Sequence, residues 1–533
     1  MTESKTRMTA YWEDAFQIND ADLEHLYNLL IEDETPLTTE EMGRALVERR
    51  IKLEGERLQH EKTRGARLYL PGESYHVGEE LVFPALQYAT GSVQAVRAGR
   101  NPEYGEFDVL QIELGGGQAR EFAARLTDHQ LNALPEPGEN GGLTEQSPDD
   151  VMAHSGQAII AKLNARLQKA GDLVRIAGRW FPRALLAEIN AGHLNLAEAV
   201  LDVNDGGPLP TRELQTHLEL PQKVNPKLMT FSLDYALQED ERFDEVGPAG
   251  EIHWHLRRLE PAEVLFPPRR LSCEPVSYER RALTPELLKL EQELDDEFSE
   301  VVETLPGAAN GEEVTLALTF PHRREGTLPL SPRLARLFPT AYEAPRIRFI
   351  LVDGKTGEKF PGWVVRQHRF VYGLAEWYKK HDVVAGAYVM VRPGVRAGEV
   401  EVHTRHRRPI SEWVRTVTAS EHRGLIFSMK RQPIRVEYDE HMIVIVDNPV
   451  AVDQAWLRSQ ERNAPLAAAV ANVFRELARL NPQSAVHARA LYSSVNVIRR
   501  SPPGPIFAEL VGRPHFVHVG DLYWKFDESR WSP

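Results

Sequence analysis

The chain has 533 residues, 42% hydrophobic and 26% charged, which is too long for one core, so several domains are expected. Its 63 Lys/Arg against 78 Asp/Glu leave a formal net charge of −15, which argues against a protein that simply coats nucleic acid. No run of about 18 apolar residues occurs and the N-terminal stretch carries none after its charges, while a lone Cys273 excludes an internal disulfide and a cysteine-rich zinc site. A cytoplasmic protein with no membrane contact is the expectation.

Residues 1–66 open acidic, with 5 Lys/Arg against 12 Asp/Glu in the first fifty. The stretch from 20 to 60 reads as helical, and PLTTEEM supplies a capped start in which Thr38 or Thr39 leads Glu41. A helix-turn-helix is one reading of this region. Residues 67–133 alternate apolar and polar, with turns at RAGRNPEYGEF and ELGGGQAREF, and read as a small antiparallel β-barrel. The triple glycine at 115–117 follows a strand and precedes another, so it reads as a hairpin turn rather than a phosphate loop. Pro, Gly and acidic content make 134–150 a linker.

The next signal is a spacing that recurs. Leu233, Leu237, Phe243, Val246, Gly247 and Trp254 stand at steps of 4, 6, 3, 1 and 7. Near the end of the chain, Ile506, Leu510, Phe516, Val519, Gly520 and Trp524 stand at 4, 6, 3, 1 and 4. A looser copy has Leu163, Leu167, Leu173, Ile176 and Trp180 at 4, 6, 3 and 4. Apolar residues four apart share a helical face, and the link into a Trp-bearing return strand reads as a hairpin. The three units span 148–185 (partial), 186–260 and 481–530, with proline-led helical stretches ahead of the last two. The tryptophans are expected to fill the space between hairpin and helices.

The stretch LQEDERFDEVGPAGEIHWHL within this pattern resembles the HARE-type winged helix, also found in the delta subunit of bacterial RNA polymerase. That resemblance implies winged helices associated with transcription, some contacting DNA and others protein, and RNA polymerase as a partner.

Residues 259–275 read as a second linker, and 276–310 as an acidic amphipathic helix around PELLKLEQELDDEFSEVVE. The balance then inverts, with 18 Lys/Arg against 9 Asp/Glu over 321–420. Within 311–420 an apolar strand, a basic loop, a short helix ending Leu-Phe-Pro, a strand ending Asp-Gly, a second basic loop and Gly-Leu-x-x-Trp-Tyr follow one another. This order, over about 313–405, resembles the B-three pseudobarrel DNA-binding domain of plant transcription factors and its restriction-enzyme relatives.

The B-three resemblance implies that two loops grip the major groove of double-stranded DNA. By position the first is Pro321, His322, Arg323 and Arg324, and the second Arg366, Gln367, His368 and Arg369. Arginine can bond guanine O6 and N7, glutamine can pair with adenine, and all the cations neutralise phosphate. Arg405, Arg407 and Arg408 would add phosphate contacts or form a solvated edge. Residues 421–480 read as strands and a long helix broken near Pro465.

No phosphate-loop, dinucleotide, zinc-protease or nucleophile-elbow motif occurs. His253 and His255 flank Trp254 on a strand without an evident third ligand, and EYDEHM at 437–442 reads as a charged turn. The expectation is therefore α+β multidomain architecture: repeated winged helix-turn-helix units, a small β-barrel and a central B-three-like β-pseudobarrel. It would belong to a DNA-binding protein without catalytic residues, metal or cofactor, associated with the nucleoid. Two alternatives stand beside it: the recognition subunit of a restriction or phage-defence system, and a scaffold of winged helices that bind protein.

Overall fold

Several helix starts in this chain are set by side-chain caps that the sequence carries. The computed structural model describes residues 11–63, 67–83, 86, 89–101, 105–114, 118–127, 129–132, 147–221, 223–300, 313–396, 398–420, 424–462 and 464–531. The expected turn at 115–117, most of the expected linker 134–150 and the acidic segment beyond 300 lie outside them. The fold is mixed α and β with several separate sheets, and it divides into two compact units, Met1–Ala187 with Lys223–Phe231, and Glu188–Gln222 with Ser232–Pro533.

In the first unit, Asn19 and Asp22 cap each other at the start of α1 (Asp20–Asp33). Thr38 and Glu41 do the same after β1 (Leu37–Thr38), where Glu41 N donates to Thr38 Oγ1 at 3.1 Å and Thr38 N to Glu41 Oε2 at 2.7 Å, opening α2 (Thr39–Thr63). This is the capping box read from the sequence. The chain next forms a five-stranded sheet from β2 (Arg67–Leu68), β3 (Glu80–Phe83), β4 (Ala89–Ala98), β5 (Asp108–Leu114) and β6 (Gln118–Ala124), in that order. Its pairs are antiparallel except β2 with β3. The backbone amides of Arg125 and Leu126 donate to the carbonyls of Glu73 and Pro71, drawing the sheet's two ends together around Tyr69, Phe83 and Phe122.

The chain returns through α3 (Pro148–Leu167) into β7 (Leu173–Ile176) and β8 (Arg179–Pro182). β1 pairs with β8, giving the order β1-β8-β7. The segment that spacing marked as partial is thus completed by a strand from residues 37–38, with the five-stranded sheet inserted between α2 and α3.

The same sequence of elements recurs from residue 191: α4 (Ala191–Val203), β9 (Leu209–Pro210), α5 (Thr211–Thr216), α6 (Pro226–Glu239, in the second unit from Ser232), β10 (Phe243–Glu245) and β11 (His253–Leu256), with sheet order β10-β11-β9. Residues 259–275, expected as a linker, instead pack: α7 (Ala262–Leu265) and a turn at Arg269–Leu271 bury Val264, Arg270 and Leu271. α8 (Pro285–Leu294) starts at a Thr284 cap. It ends sooner than its acidic sequence suggests, because Asp295 is left-handed at φ +47° and the following carboxylates turn inward.

Seven strands follow: β12 (Val314–Ala317), β13 (Thr327–Pro329) reached through α9 (Phe320–Glu325), β14 (Arg346–Asp353), β15 (Lys359–Val365) and β16 (Phe370–Tyr372), then α10 (Ala375–Lys380), β17 (Tyr388–Pro393) and β18 (Glu399–His403). They form one sheet of order β12-β17-β18-β14-β15-β16-β13, curled into a half-barrel. Strict alternation on β14 buries Ile347, Phe349, Leu351 and Asp353. Gly386 stands at φ +92°, and a Cβ there would lie 2.4 Å from Ile443 Cα, so no other residue fits without a backbone shift.

A long ribbon of β19 (His406–Ser420) and β20 (Gly424–Val436) then leads to β21 (Ile445–Val446). α11 (Pro449–Glu461) and α12 (Leu466–Ala478) are separated at Pro465, where the break was expected. The last elements are β22 (Ala485–His487), α13 (Ala488–Ile498), α14 (Pro503–Gly512), β23 (Phe516–Gly520) and β24 (Tyr523–Phe526), with sheet order β22-β24-β23.

These three small sheets put a tryptophan at one register. Trp180 lies opposite Leu37, Trp254 opposite Leu209 and Trp524 opposite Val486. In the first, Trp180 Nε1 donates to Thr39 Oγ1 at 3.0 Å, and that hydroxyl donates to Asn164 Oδ1 at 2.9 Å. In the second, Trp254 Nε1 donates to Asp234 Oδ1 at 2.9 Å, which also accepts from Thr211 at 2.5 Å. In the third, Ala488 stands where the others have threonine, and Trp524 Nε1 has no hydrogen-bond partner among the described residues.

Burial raises the Asp234 pKa to about 7 against the bonds from Thr211 and Trp254. Between about pH 4 and pH 7 the unfolded chain ionises this carboxyl while the folded one keeps its proton, so rising pH costs stability there, with a ceiling of about 4 kcal/mol. Asp234→Asn, which copies the Asn164 arrangement, should flatten that dependence. Amide exchange of residues 209–256 measured at pH 5 and pH 8 checks it: protection should fall with pH in the wild type and stay level in the variant.

Candidate functional site

The two basic stretches singled out by the sequence do come from neighbouring parts of the half-barrel, but their cations are engaged. The first is a helix, α9, rather than a loop. His322 is 1% exposed, with Nδ1 at 2.8 Å from Thr327 Oγ1 and Nε2 at 3.1 Å from Glu297 Oε1, so it cannot face a groove as expected. Arg323 donates to the Val383 carbonyl and lies over Tyr378, and Arg324 pairs with Asp453 at 2.7 Å. In the second stretch Arg366 donates to the Ala344 carbonyl at 3.0 Å, and Arg369, at φ +53°, to the Glu297 carbonyl at 2.9 Å. Gln367 and His368 are exposed at the tip of that turn.

The turn Asp295–Phe298 bridges both basic stretches. Glu297 meets His322 through its side chain and Arg369 through its carbonyl, Phe298 lies 5.8 Å under the Arg369 guanidinium, and Asp295 accepts from Ser331 and pairs with Arg333 at 3.1 Å. One residue, Glu297, thus engages a side chain from each basic stretch. Sequence reasoning missed this because LDDEFSE reads as the continuation of a solvated helix.

Behind this turn lies Arg500, fully buried. Its guanidinium pairs with Asp296 at 2.8 Å and Glu297 at 2.6 Å, donates to Asn496 Oδ1 at 3.0 Å, and covers Phe298 at 5.2 Å. Tyr492 adds a bond to Asp296 at 2.5 Å. Burial raises the Asp296 carboxyl above its ordinary value; burial also works against Glu297, yet Arg500 and His322 hold that carboxyl below its ordinary value.

A second buried carboxylate anchors the start of the ribbon. Asp353 Oδ2 accepts from His381 Nε2 at 2.9 Å, Thr356 Oγ1 at 2.6 Å and Lys380 Nζ at 3.0 Å, and these bonds overcome burial to hold its pKa well below the carboxylate range. His381 Nδ1 faces His406 Nε2 at 3.3 Å, and His406 Nδ1 donates to the Thr404 carbonyl at 3.2 Å. Burial lowers the His406 pKa. Both nitrogens of His406 are occupied, so this chain of rings positions the ribbon rather than offering a base to a substrate.

On the ribbon, Arg405 pairs with Glu437 at 3.6 Å, and Arg407 pairs with Glu412 while lying 4.7 Å over Tyr438. Arg408 is exposed. A groove of about 500 Å3 between α8 and the β23–β24 hairpin has a floor of Leu287, Leu290, Leu522 and Trp524 and carries charges of both signs. His253 is partly exposed and His255 is buried against Trp363, 5.5 Å between ring centroids. Among the described residues no three His, Cys, Asp or Glu side chains are placed to hold a metal ion, and no helix is long and apolar enough to cross a membrane.

Compared with known proteins, the chain matches no protein family, no curated protein and no solved structure.

Arg500→Ala should destabilise the second unit by about 3 to 5 kcal/mol, because it strands two buried carboxylates. Arg500→Met combined with Asp296→Asn and Glu297→Gln should recover most of that loss. Thermal melting of the three proteins distinguishes an ion-pair requirement from simple loss of packing volume.

Proposed function

We propose that this chain is a protein-binding scaffold, built from three winged-helix modules and a B-three-like half-barrel, and acts without catalysis. The observation that carries the reading is the Asp295–Phe298 turn. It holds His322 of the first basic stretch and Arg369 of the second, and Arg323, Arg324 and Arg366 bond the protein's own backbone and acids as well, which leaves Gln367 and His368 as the exposed members of the two stretches.

The modules support the same reading. A winged helix that reads DNA lays its third helix in the major groove and surrounds it with cations. Here α14 carries Glu509 and no cation, and its buried residues include Ile506, Phe507 and Leu510. α6 offers Lys227 against Glu239. On α3, Lys162 donates to backbone carbonyls and Arg166 pairs with Asp20. The hairpin turn of the second module is also occupied: Ala249 N donates to the Thr340 carbonyl at 2.6 Å, and Arg348 N to the Val246 carbonyl at 2.9 Å. With those faces committed, outer faces remain for partners, and a net charge of −15 favours partners that are not nucleic acid.

Two measurements test this together. Affinity capture from nuclease-treated lysate should retain a specific partner, and a random duplex pool at low and high salt should show no selective enrichment. Sequence-selective DNA binding that is lost when Arg323, Arg324, Arg366 and Arg369 are all changed to Ala would replace this reading with the groove-gripping one.

A further inference from the structure

One face of the β19–β20 ribbon is covered near its turn and bare farther along. Near the turn Val417, Leu425 and Phe427 enter one core, while on the opposite face Val414, Ile434 and Val436 enter a second, out to the end of the ribbon remote from the turn. Farther along the first face, register pairs Ser411 with Pro433, Trp413 with Arg431 and Arg415 with Met429. Arg415 is buried, with bonds to the Ala490 and His441 carbonyls, but Trp413 is 64% exposed and Met429 40% exposed. An indole in water on a rigid strand is a pre-paid contact, since little side-chain freedom remains to be lost on binding.

Charge says what it would contact. Four cations of the ribbon region are neutralised: Arg405 by Glu437, Arg407 by Glu412, Lys430 by Asp447 and Arg435 by Asp382. Arg431 and Arg408 have no carboxylate partner among the described residues. Arg431 stands opposite Trp413 and donates to the Ser411 carbonyl at 3.3 Å. Arg408 lies five residues before Trp413 on the same strand. The uncompensated charge of Arg431 therefore sits opposite the exposed indole, and that of Arg408 farther along the same strand.

We propose that this bare stretch of the ribbon docks an acidic protein segment with one apolar anchor, the anchor packing on Trp413 and Met429 and the acids meeting Arg431 and Arg408. The proposal rests on the protein-binding reading above. Pro433 lacks an N–H on the edge strand, which disfavours addition of a further strand, so recognition runs through side chains. A nucleic-acid strand fits less well, because its phosphates would pass over Glu412, Glu437, Asp447 and Asp382, whereas a peptide can place isolated acids at the two free arginines.

The test uses the full-length chain and a random-peptide display library. Selected peptides should combine Asp or Glu with an aromatic or leucine residue. Measured by fluorescence anisotropy, their affinity should fall at least about tenfold with Trp413→Ala and with Arg408→Ala/Arg431→Ala together, and be unchanged by Val395→Ser, an exposed position outside the ribbon. Circular dichroism of each variant should match the wild type, as exposed positions allow. If no selected peptide is weakened by Trp413→Ala, or if labelled oligo-dT binds and loses affinity in that variant, the ribbon proposal falls. A partner captured equally by wild type and Trp413→Ala proteins would overturn the ribbon proposal while leaving the scaffold reading standing, whereas loss of all capture from wild type would count against the scaffold itself.

Discussion

Arg500 is the charge around which the larger unit is arranged. A guanidinium removed from water is tolerated only while its acids stay in place, and the effective penalty for an unpaired buried ion is several kcal/mol. Its acids lie 204 and 203 residues earlier in the chain, at Asp296 and Glu297. Through them it fixes the end of α8, and through Glu297 it fixes His322 on α9 and the turn at Arg369. The half-barrel and the C-terminal module are joined by electrostatics as well as by apolar packing. The same acidic turn engages His322 and Arg369 of the basic stretches, so one arrangement shapes both stability and surface.

The three small modules show how one core pattern tolerates different polar interiors. Each brings a tryptophan from its last strand opposite an apolar residue of its first. The indole N–H then needs an acceptor, because a buried donor left alone costs about 1 to 3 kcal/mol. Thr39 with Asn164 and Thr211 with Asp234 provide it, the second at the expense of a carboxyl pushed toward neutrality. The third module has Ala488 and Phe507 at the corresponding places and leaves Trp524 Nε1 unpaired among the described residues. The apolar spacing is common to all three; the polar partner is a local choice.

Much of the local structure was legible. The capping pair Thr38 and Glu41, the break at Pro465 and the helix-to-hairpin spacing of Leu163, Leu233 and Ile506 follow from neighbours a few residues apart. The completion of the first module was not, because Leu37 finds Trp180, 143 residues farther along the chain, across an entire inserted sheet. The partners of the candidate site residues were not legible for a related reason. Arginine density at 321–324 and 366–369 is visible in the chain, but the acceptors are Asp453, 129 residues from Arg324, and Glu297, 72 residues from Arg369. Trp413 carried no spacing signal, since its exposure depends on where two separate cores stop covering the ribbon.

The amino-acid sequence by itself determined where helices begin, which strand residues turn inward and how the tryptophan modules are spaced, because caps, alternation and helical periodicity are satisfied within a turn or a hairpin. Only the tertiary structure decided which charges are free. A guanidinium serves as a clamp or as a recognition group according to the acid or carbonyl that the fold brings within about 3 Å of it, and that partner can come from anywhere in the chain.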